Sequence, residues 1–228
     1  MKTVAYWVGV LVVALIGWHS SAEAMILINE VLADPPSVGG DANHDGVVSS
    51  TQDEFVELVN PTADAVSLSG WTLSDAVQVR HVFAADTAVP SGGFFVVFGG
   101  GSPSGFARAT IASTGTLSLN NSGDSVVLRD ATAALIDSFT YGSEGGADVS
   151  LTRAPDGSGA FVKHTTVSTS RFSPGTTIDG RSALAVPDGS GIGPPAAAPP
   201  SMPEPSSWAL IGFGLLGVIP PRWRFRRR

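Results

Sequence analysis

The sequence predicts an all-β body, a two-sheet sandwich, set between two apolar tags. Three observations point there. Between Met25 and Ser201 short apolar and β-branched runs alternate with Gly, Pro, Asn and Asp, and no 3.6-residue period appears. About nine such runs follow one another with turn signals at short intervals, the spacing of two packed antiparallel sheets. The 228 residues include no cysteine. The fold therefore stands on burial, or burial plus metal, and disulfide, thiol and cysteine-ligated zinc or iron–sulfur chemistry are excluded.

Taken in order, residues 1–24 combine Lys2, an apolar run over residues 4–18 and the small-x-small sequence Ala22-Glu23-Ala24, the pattern of a secretory signal cleaved after Ala24. That run is shorter than the roughly 20 residues a spanning helix needs. Residues 25–33 alternate as a first strand, which Asp34-Pro35-Pro36 ends because proline donates nothing to a ladder. Residues 54–59 form a second strand, and Asn60-Pro61 turns it away. Residues 70–74 and 79–83 suit two further strands joined by a turn over residues 75–78. Residues 93–98 are the most apolar run and are expected at the centre of the core, buried on both faces. Beyond the glycine-rich loop 99–105, strands are expected at residues 116–119, 125–129, 135–141, 150–153 and 161–164. The body closes near Gly180, and residues 181–202, rich in Pro, Gly and Ala from residue 186 on, read as an extended linker.

Between the first two strands runs an acidic loop that invites a metal. Asp41, Asn43 and Asp45 followed by Gly46 repeat the first half of a calcium loop, in which alternate oxygen side chains turn inward and glycine permits the bend. The second half departs from the pattern: Gln52 stands where the bidentate carboxylate belongs, and Asp53 and Glu54 arrive one and two residues late. The candidate Ca2+ ligands are Asp41, Asn43, Asp45, the Val47 carbonyl and one of Asp53 or Glu54. The competing reading is a solvated turn in which Asp and Asn bond their own backbone.

The body carries 18 acidic side chains against 7 basic ones over residues 25–201, a net charge of −11. Such a surface repels phosphate backbones, so nucleic acid is excluded as a direct partner. No Gly-x-Ser-x-Gly elbow and no His-Glu-x-x-His helix occurs, and residues 212–217 match a dinucleotide fingerprint only inside an apolar tail, without the strand that should precede it. His44, His81 and His164 are expected at the surface or at strand edges. Glu30 and Glu57, one on each of two early strands, offer an acid and base pair for a small calcium-dependent secreted hydrolase of matrix polymers, while the favoured expectation is that they are solvated on a strand face or form a second tier beside the calcium loop.

Four segments carry a resemblance to a known family: Ile28-Asn29-Glu30-Val31, Asp53-Glu54-Phe55-Val56-Glu57-Leu58-Val59-Asn60, Leu68-Ser69-Gly70-Trp71-Thr72-Leu73-Ser74-Asp75 and Gly92-Gly93-Phe94-Phe95-Val96-Val97. Together they resemble the lamin tail domain in its secreted bacterial form, over residues 25–180, and Ser173-Pro174-Gly175-Thr176 is similar to its usual end. The resemblance implies an immunoglobulin-like β-sandwich, a mostly non-catalytic module, and no catalytic residues to carry over; Trp71 then belongs to the core.

The C-terminal residues 203–228 resemble the PEP-CTERM sorting signal: Pro203-Glu204-Pro205, the apolar run 208–219, then Arg222, Arg224, Arg226, Arg227 and Arg228. Twelve apolar residues extend about 18 Å as a helix, short of the roughly 30 Å hydrocarbon core, which suits a transient inner-membrane anchor with its arginines held cytoplasmic. The resemblance implies processing by an exosortase, a membrane transpeptidase of Gram-negative bacteria, and delivery to the cell surface or beyond. It also suggests a ligand in the envelope or exopolysaccharide matrix.

Overall fold

A computed structural model describes residues 26–186. The predicted leader and the sorting segment, including the apolar run 208–219, lie outside the described residues; among those described, no helix is long and apolar enough to cross a membrane. The described residues form twelve strands: β1 (Leu27–Leu32), β2 (Phe55–Val59), β3 (Val66–Ser67), β4 (Thr72–Ser74), β5 (Val79–Val82), β6 (Ala88–Val89), β7 (Phe94–Phe98), β8 (Ala109–Ile111), β9 (Asp124–Arg129), β10 (Leu135–Tyr141), β11 (Leu151–Ala154) and β12 (Ala160–Lys163). They form a six-stranded sheet ordered β12-β11-β1-β2-β7-β8, a four-stranded sheet ordered β10-β9-β4-β5, and the small pair β3-β6. All pairings are antiparallel except β7 with β8. This is the sandwich that the sequence predicts, with two corrections. Residues 116–119 form no strand, and the strand after the glycine-rich loop is β8, which ends before the expected segment begins. The second correction is the β3-β6 pair, whose two-residue strands are too short to leave a period-2 signal.

The inner face of the large sheet packs on the small one. Ile28, Val31, Val56, Leu58, Phe95 and Val97 meet Trp71, Leu73, Phe83, Val126 and Leu128, and Trp71 sits in this core as expected. The outer face is covered too. Leu32, Phe55, Val96 and Phe98 form a second apolar cluster under Ala42, Phe106 and Phe172, which come from loops. Strand β7 is therefore buried on both faces, as its unbroken apolar run predicts.

One irregularity in β1 decides what the outer face carries. The β1–β2 register runs Ile28 to Leu58 and then Glu30 to Glu57, so Asn29 is an extra residue, a β-bulge. Simple alternation would place residues 28 and 30 on the same face. The bulge resets it: Ile28 and Val31 enter the inner core, while Glu30 and Leu32 turn outward beside Glu57 and Phe55.

A strap over residues 170–186 crosses the outer side of the sheet. Its Phe172 meets Phe55 edge-on at 6.4 Å between ring centroids. Further along, Leu184 donates its N–H to the Gly92 carbonyl at 2.8 Å. The ordered body thus runs past residue 180, where the linker was expected to begin. At one lateral edge Asp137 of β10 accepts from the Ile28 N–H and from Arg153, whose guanidinium also bonds the Ile28 carbonyl and lies 4.6 Å over the Phe161 ring. This contact stitches the two sheets together.

Candidate functional site

Two groups of polar side chains gather on or beside the outer face, and the sequence singled out both. The first is the acidic loop. Asp41 accepts the N–H groups of Asp45 and Gly46, Asn43 Oδ1 accepts that of Asp45, and Asp45 Oδ1 accepts that of Val47, all between 2.9 and 3.1 Å. Gly46 makes the expected bend at φ +87°. The other Asp45 oxygen accepts the Ser102 N–H, and Gly101, at φ +77°, lets that second loop approach: a Cβ there would collide with the Asp45 carboxylate and the Asn43 amide.

Asp53 does reach this loop, but as a tie. It accepts the N–H groups of Asn43 at 3.0 Å and Ser49 at 2.7 Å, and burial raises its pKa against the pull of those amides. Glu54 does not reach it. As the next residue on an extended chain it points the opposite way, where its carboxylate accepts the Leu119 N–H at 3.3 Å and burial pushes its pKa up to about 8. Glu54 is therefore removed from the ligand set.

Among the described residues no three His, Asp or Glu side chains form a metal-holding group. The residues fit calcium in part: Asp41, Asn43, Asp45 and the Val47 carbonyl make four oxygens of the six to eight the ion takes. Backbone amides of the protein itself already bond Asp41, Asn43, Asp45 and Asp53.

The second group is a row of carboxyls. Thr152, Glu30 and Glu57 are consecutive cross-strand partners on β11, β1 and β2, so their side chains share a face. Glu30 and Glu57 are both 0 % exposed, which overturns the expectation of solvated glutamates. Glu30 accepts Ser150 Oγ at 2.5 Å, the Ser173 N–H at 2.9 Å and Ser173 Oγ at 2.8 Å. Glu57 accepts Asn29 Nδ2 at 2.9 Å and the Gly175 N–H at 2.6 Å. Asn29, the bulge residue, bonds Asp156 as well. Burial raises both pKa values, Glu57 well above its ordinary range because Glu30 adds to the effect; for Glu30, His164 and the two serines offset part of it.

His164 and His81 are buried, not surface residues, whereas His44 is exposed and stacks on Phe106. Burial drives the His81 pKa down to about 4. His164 Nδ1 lies 2.9 Å from the Ser170 carbonyl and Nε2 lies 2.9 Å from Ser173 Oγ. Reading the sequence missed Ser150, His164 and Ser173 as partners of Glu30. They lie 120 to 143 residues from it, and only the Ser-Pro-Gly turn at residues 173–175 left a local trace.

As chemistry, this arrangement is a sealed polar core. A serine, a histidine and two glutamates are present, yet the Ser173 hydroxyl lies between imidazole and carboxylate, and the face is closed by the strap. The fold and this buried row define an immunoglobulin-like β-sandwich with a polar outer layer. The lamin tail domain profile matches residues 19–143, more than half of the chain, and the chain belongs to that family. A second profile, the PEP-CTERM protein-sorting motif, matches residues 203–228. No curated protein matches the chain.

Proposed function

We propose that the protein is a non-catalytic binding or structural module, exported, processed by an exosortase and displayed at the surface or in the matrix of a Gram-negative cell. The observation that carries this reading is the pairing of a sorting motif at residues 203–228 with a self-contained lamin tail body upstream. The burial of Glu30 and Glu57 supports the non-catalytic part, since a polymer chain cannot reach a carboxyl with no exposed surface. The body's charge of −11 favours a protein or a neutral glycan of the matrix over an anionic polymer. Calcium is proposed only as a weak accessory at Asp41, Asn43 and Asp45.

The test is a pull-down of extracted matrix by the full-length chain in detergent, with and without calcium, alongside mass spectrometry of the surface form. Saturable capture and loss of Arg228 are expected. Turnover of a matrix polymer that disappears in Glu57→Gln overturns the non-catalytic reading, and an intact C-terminus overturns the processing.

A further inference from the structure

The strap and the carboxyl row are one unit. Of the donors that satisfy Glu30 and Glu57, the Ser173 N–H, the Ser173 hydroxyl and the Gly175 N–H all come from the strap. The strap also supplies the Ile178 N–H to Asp156, which in turn holds Asn29 against Glu57. We propose that residues 170–186 are a proton-gated latch, seated while the row beneath holds its protons and lifting as they are removed.

The argument rests on what faces each carboxyl. Around Glu30 stand Ser150, Thr152, Glu57, Ser173 and, through Ser173, His164; around Glu57 stand Asn29, Glu30, Asp156 and Gly175. Among the described residues the ion pairs are Arg80–Asp75, Arg153–Asp137 and Arg181–Asp179, so neither glutamate has a lysine or arginine against it. Among those residues no lysine or arginine neutralises the row, and Asp156 adds a further carboxyl beside Glu57.

The hydrogen bonds also say where a proton can sit. A carbonyl only accepts, so the Ser170 carbonyl requires a proton on His164 Nδ1. The remaining proton can lie on Glu30, with Ser173 accepting from it and donating to Nε2, or on Nε2, with Ser173 donating to a charged Glu30. Both arrangements are neutral overall, and they exchange when Glu30 passes its proton to Ser173 Oγ as Ser173 passes its own to Nε2. Withdrawing protons from this set leaves like charges on adjacent strands in a dry layer, the arrangement that burial penalises most.

Relief comes from water, and the strap is the cover that water can lift. The strands beneath are held by ladders, whereas the strap's backbone bonds to the body are isolated: Ser150 N–H to the Arg171 carbonyl and Leu184 N–H to the Gly92 carbonyl. Thr152 Oγ1, buried without a partner beside Glu30, offers entering water a place to bond. The strap is also where the chain leaves the body toward the sorting motif, so the latch lies between the sandwich and its attachment.

Hydrogen exchange of the full-length chain in detergent, corrected for intrinsic rates, tests this between pH 6 and pH 9. The amides of Ser173, Gly175 and Ile178 are expected to lose about tenfold in protection per unit of pH once the row begins to ionise, while those of Leu58 and Val96 hold. Tryptic cleavage after Arg171, which is exposed, should accelerate over the same range. Glu57→Gln should flatten both responses, and because that variant risks misfolding, the unmodified chain carries the test. Strap and strand amides losing protection in step, or a strap that stays protected through pH 9, overturns the latch.

Discussion

The two faces of the six-stranded sheet solve the same problem with different chemistry. The inner face buries an apolar cluster against a second sheet. The outer face carries Leu32, Phe55, Val96 and Phe98 at one end and Glu30 and Glu57 in the same layer, and it is covered by loops and the strap. An ordinary sandwich leaves its outer face in water, where a glutamate costs nothing. Here the cover turns each glutamate into a buried group that needs its own donors, so specific hydrogen bonds supply what apolar packing supplies on the other side. On the latch reading the outer layer answers to the protons of its row and to the strap, whereas the apolar packing of the inner core answers to neither.

The largest expected effects compare the faces directly. Leu58→Ala, on the inner side of β2, should cost about 2–5 kcal/mol in urea or thermal unfolding through the cavity it leaves. Glu57→Ala, one residue earlier and on the opposite face, should cost about 2–4 kcal/mol by stranding the Asn29 and Gly175 donors, and its effect should shrink in a chain that ends at residue 169, where the Gly175 donor is already gone. A loss that is the same in both backgrounds would dissolve the distinction between the faces.

Arg153→Ala should cost about 1–3 kcal/mol, since it releases Asp137, the Ile28 and Gly159 carbonyls and the face of Phe161 at the stitched edge. A double-mutant cycle with Asp137→Ala measures how much of that belongs to the ion pair.

The pH profile sharpens the comparison further. Glu54, its pKa raised to about 8, contributes stability that is full below pH 4.5 and lost as pH rises toward 8. His81, lowered to about 4, contributes stability that is full above pH 6.5 and lost as pH falls toward 4. The two trends oppose each other between pH 4.5 and 6.5, and above 6.5 only the carboxyl trend remains. Tm should therefore decline by several degrees between pH 6.5 and 8.5, and Glu54→Gln should reduce that decline. A flat profile in the unmodified chain would contradict the burial of these acids.

The smallest effect is expected from calcium. With four oxygens gathered and the loop already closed by its own amides, 2 mM calcium against chelator should move Tm by less than about 2 °C, equivalent to less than about 1 kcal/mol for a body of this size. A larger shift that Asp45→Ala abolishes would restore a full site.

Much of this was legible locally. The apolar run at Phe94–Phe98, the Asp-x-Asn-x-Asp-Gly loop, the Pro-Pro stop after β1 and the C-terminal sorting motif each carry their meaning within a few neighbouring residues, and β7, the Gly46 bend and the matched motif follow that reading. Glu54 went the other way because whether a strand has begun at a given residue sets which side its neighbour faces, and a one-residue difference reverses it. His81 and His164 are buried by contacts across the sandwich and across 3-10 and strap segments, which leave no mark on the residues beside them.

By itself the sequence determined the class of fold, the absence of cysteine chemistry, the acidic body and the sorting motif behind it, because composition, period-2 patterning and short motifs are properties of short stretches. Tertiary structure alone decided that Glu30 and Glu57 are sealed. That outcome needs a bulge at Asn29 to turn one of them outward and a strap more than a hundred residues later to cover both, and no short stretch contains both events.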